Sequence, residues 1–109
     1  MRDVTRILIA IEQGDVMLTD LGQVKKQTTQ ALGINDAGQV VGYGLRQVSF
    51  TAFLWENGTM TKLIDLLANS EGIGDLIAAG INESGEIVGA IYGDGYRHAY
   101  IALPIPAAP

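Results

Sequence analysis

Short apolar stretches alternate with small polar turns along the whole chain, and almost every turn contains glycine, asparagine or aspartate. Runs of this length, bounded by turn formers and rich in Val, Ile, Tyr and Phe, predict β-strands. The pattern places strands over about 29–34, 39–45, 50–56 and 59–63, and again over about 76–81, 86–92 and 97–103. Two more fall at the front, about 6–12 and 15–21, giving nine in all. Asn35-Asp36-Ala37-Gly38 fits a type I turn closed by a residue in the left-handed region, with Asn35 bonding the turn and Gly38 taking positive φ without a Cβ clash. Asn82-Glu83-Ser84-Gly85 has the same chemistry, so Gly85 is expected to behave like Gly38. Asn57-Gly58 is the strong two-residue hairpin signal of a type I′ turn, and Gln13-Gly14 is a weaker version of it. One stretch departs from the β pattern. Lys62 to Asn69 carries apolar residues at helical spacing, which predicts a helix of one to two turns over 63–69, closed near Asn69 or Gly72.

The strands are organised by an internal repeat. Gly33-Ile34-Asn35-Asp36-Ala37-Gly38-Gln39-Val40-Val41-Gly42 returns 47 residues later as Gly80-Ile81-Asn82-Glu83-Ser84-Gly85-Glu86-Ile87-Val88-Gly89. Without a gap, the same offset aligns Ala52-Phe53-Leu54 with Ala99-Tyr100-Ile101. Pairing 31–54 with 78–101 gives 8 identities in 24 positions, and most of the other pairs are conservative. A partial third copy lies at the front, where Ile9-Ala10-Ile11-Glu12-Gln13-Gly14 parallels Phe53-Leu54-Trp55-Glu56-Asn57-Gly58. The chain therefore reads as about two and a quarter four-stranded units within a single domain over 1–103, followed by a Pro/Ala-rich tail over 104–109. Prolines keep that tail out of any sheet interior.

These motifs resemble the HAF family of extracellular repeat proteins. The family unit is similar to Gly-Ile-Asn-Asp-x-Gly-Gln-Val-Val-Gly, a variable loop, His-Ala-Phe-Leu-Trp, a turn and Met-Thr-Asp-Leu. Here the matching residues are Gly33 to Gly42, Thr51 to Trp55, Glu56-Asn57-Gly58 and Met60 to Leu63, with the name-giving triplet kept as His98-Ala99-Tyr100. The resemblance covers about 7–106 and implies an extracellular location, but no established activity. The sequence itself shows no signal peptide, which for a complete chain would imply the cytoplasm.

Four-stranded units near this period suggest β-propeller blades. Closed propellers need about four blades, so two and a quarter units do not close alone. The third strand of each unit is apolar on both faces: Ile7 to Ile11, Ala52 to Trp55, Ala99 to Leu103. Such strands call for cover on both sides. The fold expected is all-β, with blade-like antiparallel sheets covered by another copy, or alternatively a small β-sandwich or barrel.

Composition narrows the function. The 109 residues include 14 glycines and no cysteine, and only 17% are charged. Thiolate chemistry, disulfides and cysteine-ligated metals are excluded. Seven basic against twelve acidic residues give a net charge of −5, which disfavours nucleic acid. Lys25-Lys26, the only basic pair, reads as a solvated loop. No apolar run approaches the ~20 residues of a membrane span.

Candidate chemistry is sparse. His98 is the lone histidine, with Asp94, Tyr96, Arg97 and Tyr100 nearby in sequence, but it holds a strand position occupied by Thr51 in the other unit. Asn35-Asp36 and Asn82-Glu83 resemble fragments of calcium loops, yet turn chemistry accounts for them and no loop gathers the 6–8 oxygens calcium takes. Gly93-Asp94-Gly95 is not a phosphate cradle, because neither a helix start nor a lysine follows. Trp55, Tyr43 and Tyr92 are candidates to line a ligand cleft, although core packing is the plainer role for Trp55. No catalytic, cofactor or metal residue is assigned. The expectation is a non-catalytic structural or interaction module that self-assembles, a dimer before a trimer. The alternative is a small-ligand or glycan-binding module with an aromatic, polar-rimmed cleft between blades or chains.

Overall fold

A computed structural model describes residues 18–24, 27–93 and 95–105. Seven strands form two antiparallel sheets. The first sheet runs β1 (Thr28–Ile34), β2 (Val40–Arg46), β3 (Ser49–Glu56) and β4 (Thr59–Lys62) in simple sequence order. The second runs β5 (Asp75–Ile81), β6 (Ile87–Tyr92) and β7 (Arg97–Ala102) in the same way. All seven observed strands lie within a residue of their expected bounds. The expected strand over 6–12 lies outside the described residues. That over 15–21 is described only from Leu18 onward, and Leu18 to Leu21 are irregular rather than strand. Among the described residues the sheets are open, with no closed barrel or propeller, and the arrangement is that of a small β-sandwich.

The repeat is carried into the pairing register. Val40 pairs with Trp55 and Ile87 with Ala102; Thr28 pairs with Leu45 and Asp75 with Tyr92. Each pair is displaced from its counterpart by the same 47 residues that separate the sequence copies. Even the bulge repeats, falling between Ala31 and Gly33 in one sheet and between Ala78 and Gly80 in the other. Bulges sharpen the local bend, and this one comes just before the Asn-x-x-Gly turn in both copies.

That turn forms as its chemistry dictates. Gly38 and Gly85 take φ of 81° and 80°. The Asn35 side-chain oxygen accepts the Gln39 amide at 3.0 Å, and Asn82 Oδ1 accepts the Glu86 amide at 2.9 Å. Asn57 and Gly58 both have positive φ, as a type I′ turn requires. The β2–β3 connection was not legible as a tight turn. Arg46 pairs with Ser49 across Gln47-Val48, and Gln47 holds φ of 57° without being glycine. The helix is shorter than its spacing predicts, a single 3-10 turn over Leu63–Leu66. It ends at Leu67 because that residue returns to extended backbone. Apolar spacing in this segment serves packing: Leu63, Ile64 and Leu67 all reach the core between the sheets.

Strand alternation decides what that core contains. One face of the first sheet presents Val41, Ala52 and Leu54 to the second. The second answers with Leu76, Ala78, Ile87, Tyr100 and Ala102. The far face of the first sheet carries Val40 and Phe53, covered by Leu21 and Val24 of the preceding segment, with Trp55 and Met60 beside them. Phe53 is only 1% exposed, and its burial is worth roughly 1.5–3 kcal/mol. Thus β3 is covered on both sides, as its apolar run requires.

Candidate interaction surface

The second sheet differs from the first in one respect: nothing among the described residues covers its outer face. By alternation, that face presents Val88 and Ala90 from β6, with Ala99 and Ile101 opposite them on β7. Val88 is 46% exposed and Ile101 57%. Their repeat counterparts are Val41, fully buried, and Leu54, half-buried. Ala99 is exposed while its counterpart Ala52 is buried. The same residue types therefore occupy a sheet–sheet interface in one copy and a surface in the other. Leu103 and Ile105 extend the exposed apolar surface beyond β7.

The two repeat turns meet directly. Asn35 donates from Nδ2 to the backbone oxygen of Asn82 at 3.0 Å, and the Asp36 amide donates to both carboxylate oxygens of Glu83 at 3.0 and 3.1 Å. These are contacts between equivalent positions. An ideal Cβ on Gly33 would lie 3.1 Å from the Cα of Gly80, so the two β1-type strands approach closely at matching glycines. The expectation that turn chemistry accounts for Asn35, Asp36, Asn82 and Glu83 is met, and the turns have a second use in joining the sheets. Among the described residues, no group of three or more His, Asp or Glu is placed to hold a metal ion.

The aromatic residues are not brought together. Tyr43 and Trp55 lie on opposite faces of the first sheet, because Tyr43 pairs with Ala52 while Trp55 pairs with Val40. Tyr43 packs edge-on to Phe50 with ring centres 5.7 Å apart, and Phe50 stacks on Tyr92 at 5.0 Å. The Arg97 guanidinium stands 5.7 Å from the Tyr92 ring centre. His98 is exposed on β7 opposite Ile91, and Tyr96 is exposed in the preceding loop. Asp94, Lys25 and Lys26 lie outside the described residues. Tyr100 donates its hydroxyl to the Ile77 carbonyl at 2.9 Å, and burial pushes its pKa up to about 12. That is the behaviour of a core tyrosine with a satisfied hydroxyl rather than an acid–base group.

A cleft of about 520 Å³ opens between the 3-10 turn and the end of β7. Leu54, Leu63, Leu67 and Leu103 line it, with Gln39 and Glu83 among its polar groups. No aromatic ring contributes to it. Sequence reasoning missed this cleft because it arises where the two sheets diverge, a matter of relative placement rather than local pattern. Among the described residues, no helix is long and apolar enough to cross a membrane. No family model, curated protein or solved structure matches this chain.

Proposed function

We propose that the chain is a non-catalytic interaction module of HAF type, whose two sheets are blade-like units and which self-assembles through the outer face of the second. One observation carries this reading: Val88, Ala99 and Ile101 are exposed at positions whose counterparts Val41, Ala52 and Leu54 form the interface between sheets. An apolar face of this kind is stabilised by a second sheet, and each aliphatic side chain covered contributes up to roughly 1.5–3 kcal/mol. A second copy of the chain supplies such a sheet, and two copies together bring about four blades, the lower limit for a closed ring. A dimer is favoured and a trimer is the rival. The HAF resemblance favours an extracellular setting.

Light scattering coupled to gel filtration at low micromolar concentration tests the proposal. The expected mass is twice that of the chain, and high salt should preserve it, because aliphatic contact is not screened as exposed ion pairs are. Ile101→Asp should lower the mass to that of one chain while leaving the circular dichroism unchanged. A wild-type monomer that persists on concentration overturns the proposal.

The cleft between the sheets supports a second reading, a small-ligand module. Its aliphatic lining suits an apolar ligand better than a glycan, which binds by stacking on aromatic faces that the cleft lacks. A melting temperature raised by a medium-chain alcohol, and not by oligosaccharides, would favour that reading.

A further inference from the structure

The contact between the two repeat turns has a direction, and each turn uses only half of its bonding capacity. The first turn donates, through Asn35 Nδ2 and the Asp36 amide. The second accepts, through the Asn82 carbonyl and the Glu83 carboxylate. Because the turns are copies, each also carries the groups that its counterpart uses. The Asp36 carboxylate, equivalent to that of Glu83, accepts no hydrogen bond among the described residues, and the Asn35 carbonyl accepts only the Gly38 amide at 3.1 Å. The Asn82 carbonyl, by contrast, accepts both Gly85 and Asn35. On the donor side, Asn82 Nδ2 bonds only Glu86, whereas Asn35 Nδ2 bonds both Gln39 and Asn82. The Glu83 amide makes no bond corresponding to that of Asp36. One end of the chain is thus left with acceptors and the other with donors, in the pattern that already joins the two sheets.

The apolar surfaces have the same polarity. The interface within the chain places Val41, Ala52 and Leu54 against the opposite type of face, that of Ile87, Tyr100 and Ala102, with Leu63 and Leu67 from the connecting segment between them. The outer face of the second sheet repeats the first set as Val88, Ala99 and Ile101. The far face of the first sheet repeats the second set as Val40, Phe53 and Trp55, and Leu21 and Val24 lie on it much as Leu63 and Leu67 lie in the inner interface. A face that in this chain binds its opposite type is not matched by a copy of itself.

We propose that copies of this chain join head to tail. The acceptor side of one copy, Asn35 and Asp36 with the far face of the first sheet, docks on the donor side of the next, Asn82 and Glu83 with the face of Val88 and Ile101. This inference rests on the self-assembly reading and specifies its geometry. Heterologous contacts of this kind close into rings or run on as filaments, whereas a face pairing with itself stops at two copies.

The test is complementation between two damaged copies. Asp36→Lys removes the free acceptor while keeping the amide that bonds Glu83, and Ile101→Asp places a charge on the face of the second sheet. Each variant alone should associate at least tenfold more weakly than wild type by light scattering. An equimolar mixture should form a one-to-one pair, because the intact head of the Ile101→Asp copy meets the intact tail of the Asp36→Lys copy. Should either variant fail to fold, Asp36→Ala and Ile101→Asn replace them. If Asp36→Lys keeps the wild-type mass, or the mixture stays monomeric while wild type assembles, copies do not join head to tail and self-assembly itself still stands. If wild type is monomeric, the underlying reading falls as well.

Discussion

Adding a single methyl group to Gly42 should damage this fold more than its size suggests. An ideal Cβ at Gly42 would stand 2.0 Å from the carbonyl oxygen of Gln30 and 2.9 Å from the Cα of Ala31. Both are backbone atoms of β1, the strand paired with Gly42. A carbon and an oxygen in contact need more than 3 Å, so β1 would have to retreat by about 1 Å. Rotamer changes cannot relieve the clash, because no side chain is involved. Retreat lengthens the ladder bonds beside the bulge, and leaving one or two buried backbone groups poorly paired costs roughly 1–3 kcal/mol each. A loss of about 2–5 kcal/mol is therefore expected, against a total stability of ~5–15 kcal/mol for a domain. In thermal denaturation followed by circular dichroism, about 4–8 °C per kcal/mol translates this into a fall of ten degrees or more. Gly80→Ala is the control, since its Cβ would meet only a Val88 methyl at 3.5 Å, an ordinary contact. That variant should melt within a few degrees of wild type. Gly42→Ala melting alongside Gly80→Ala would refute the strand approach on which this reasoning depends.

Gly38→Val should destabilise by more than ~1 kcal/mol despite the open space around it, because a β-branched residue is strained at positive φ; a denaturant midpoint equal to wild type would contradict this. Tyr100 holds its proton more tightly in the folded state, so stability should be constant below pH 10 and fall as pH rises from 10 towards 12. In Tyr100→Phe that alkaline decline should be weaker, and the lost bond to the Ile77 carbonyl should cost about 1 kcal/mol at neutral pH. Protein purified without chelator should carry less than about one tightly held transition metal per chain by elemental analysis.

Much of the first-order architecture could be read from local chemistry, and the reason is that turns punctuate it. Gly38, Gly85 and Gly58 each sit where an asparagine supplies the matching bond or the matching positive φ, so hairpin positions were fixed by two residues at a time. Strand bounds then followed by elimination. Where turn chemistry is weak, legibility fails. Gln47 adopts positive φ without a glycine because the registers of β2 and β3, anchored along seven pairs, leave only two residues to cross between them. The 3-10 turn misled for a related reason. Leu63, Ile64 and Leu67 are spaced like a helix face, but the sheets on either side supply the apolar contacts, so a single turn suffices. The candidate chemistry was legible mainly as scarcity. That Tyr43 and Trp55 do not share a cleft depends on strand parity, which could have been read once Val40 was paired with Trp55, but not before.

The repeat also bears on why an acidic, glycine-rich chain with few charges holds two sheets in a fixed relation. Hydrophobic contact is non-directional and would allow the sheets to slide, since Val, Ile and Ala at these positions differ little in shape. The turn contacts remove that freedom. Asn35 reaching the Asn82 carbonyl and Asp36 gripped by the Glu83 carboxylate allow only one offset between the sheets. Matching glycines at positions 33 and 80 let the strands come close enough for those bonds to form. Glu83→Gln weakens the charge-assisted pair to a neutral one and should cost only a fraction of a kcal/mol at this exposed site. Its effect on order should be larger, because the offset is no longer pinned at one of its two polar contacts. Amide exchange separates the two effects: faster exchange confined to Asp36 and its neighbours, with β6 and β7 unchanged, is the expected result. Uniformly faster exchange across both sheets would mean that Glu83 contributes to global stability and does not set the register between them.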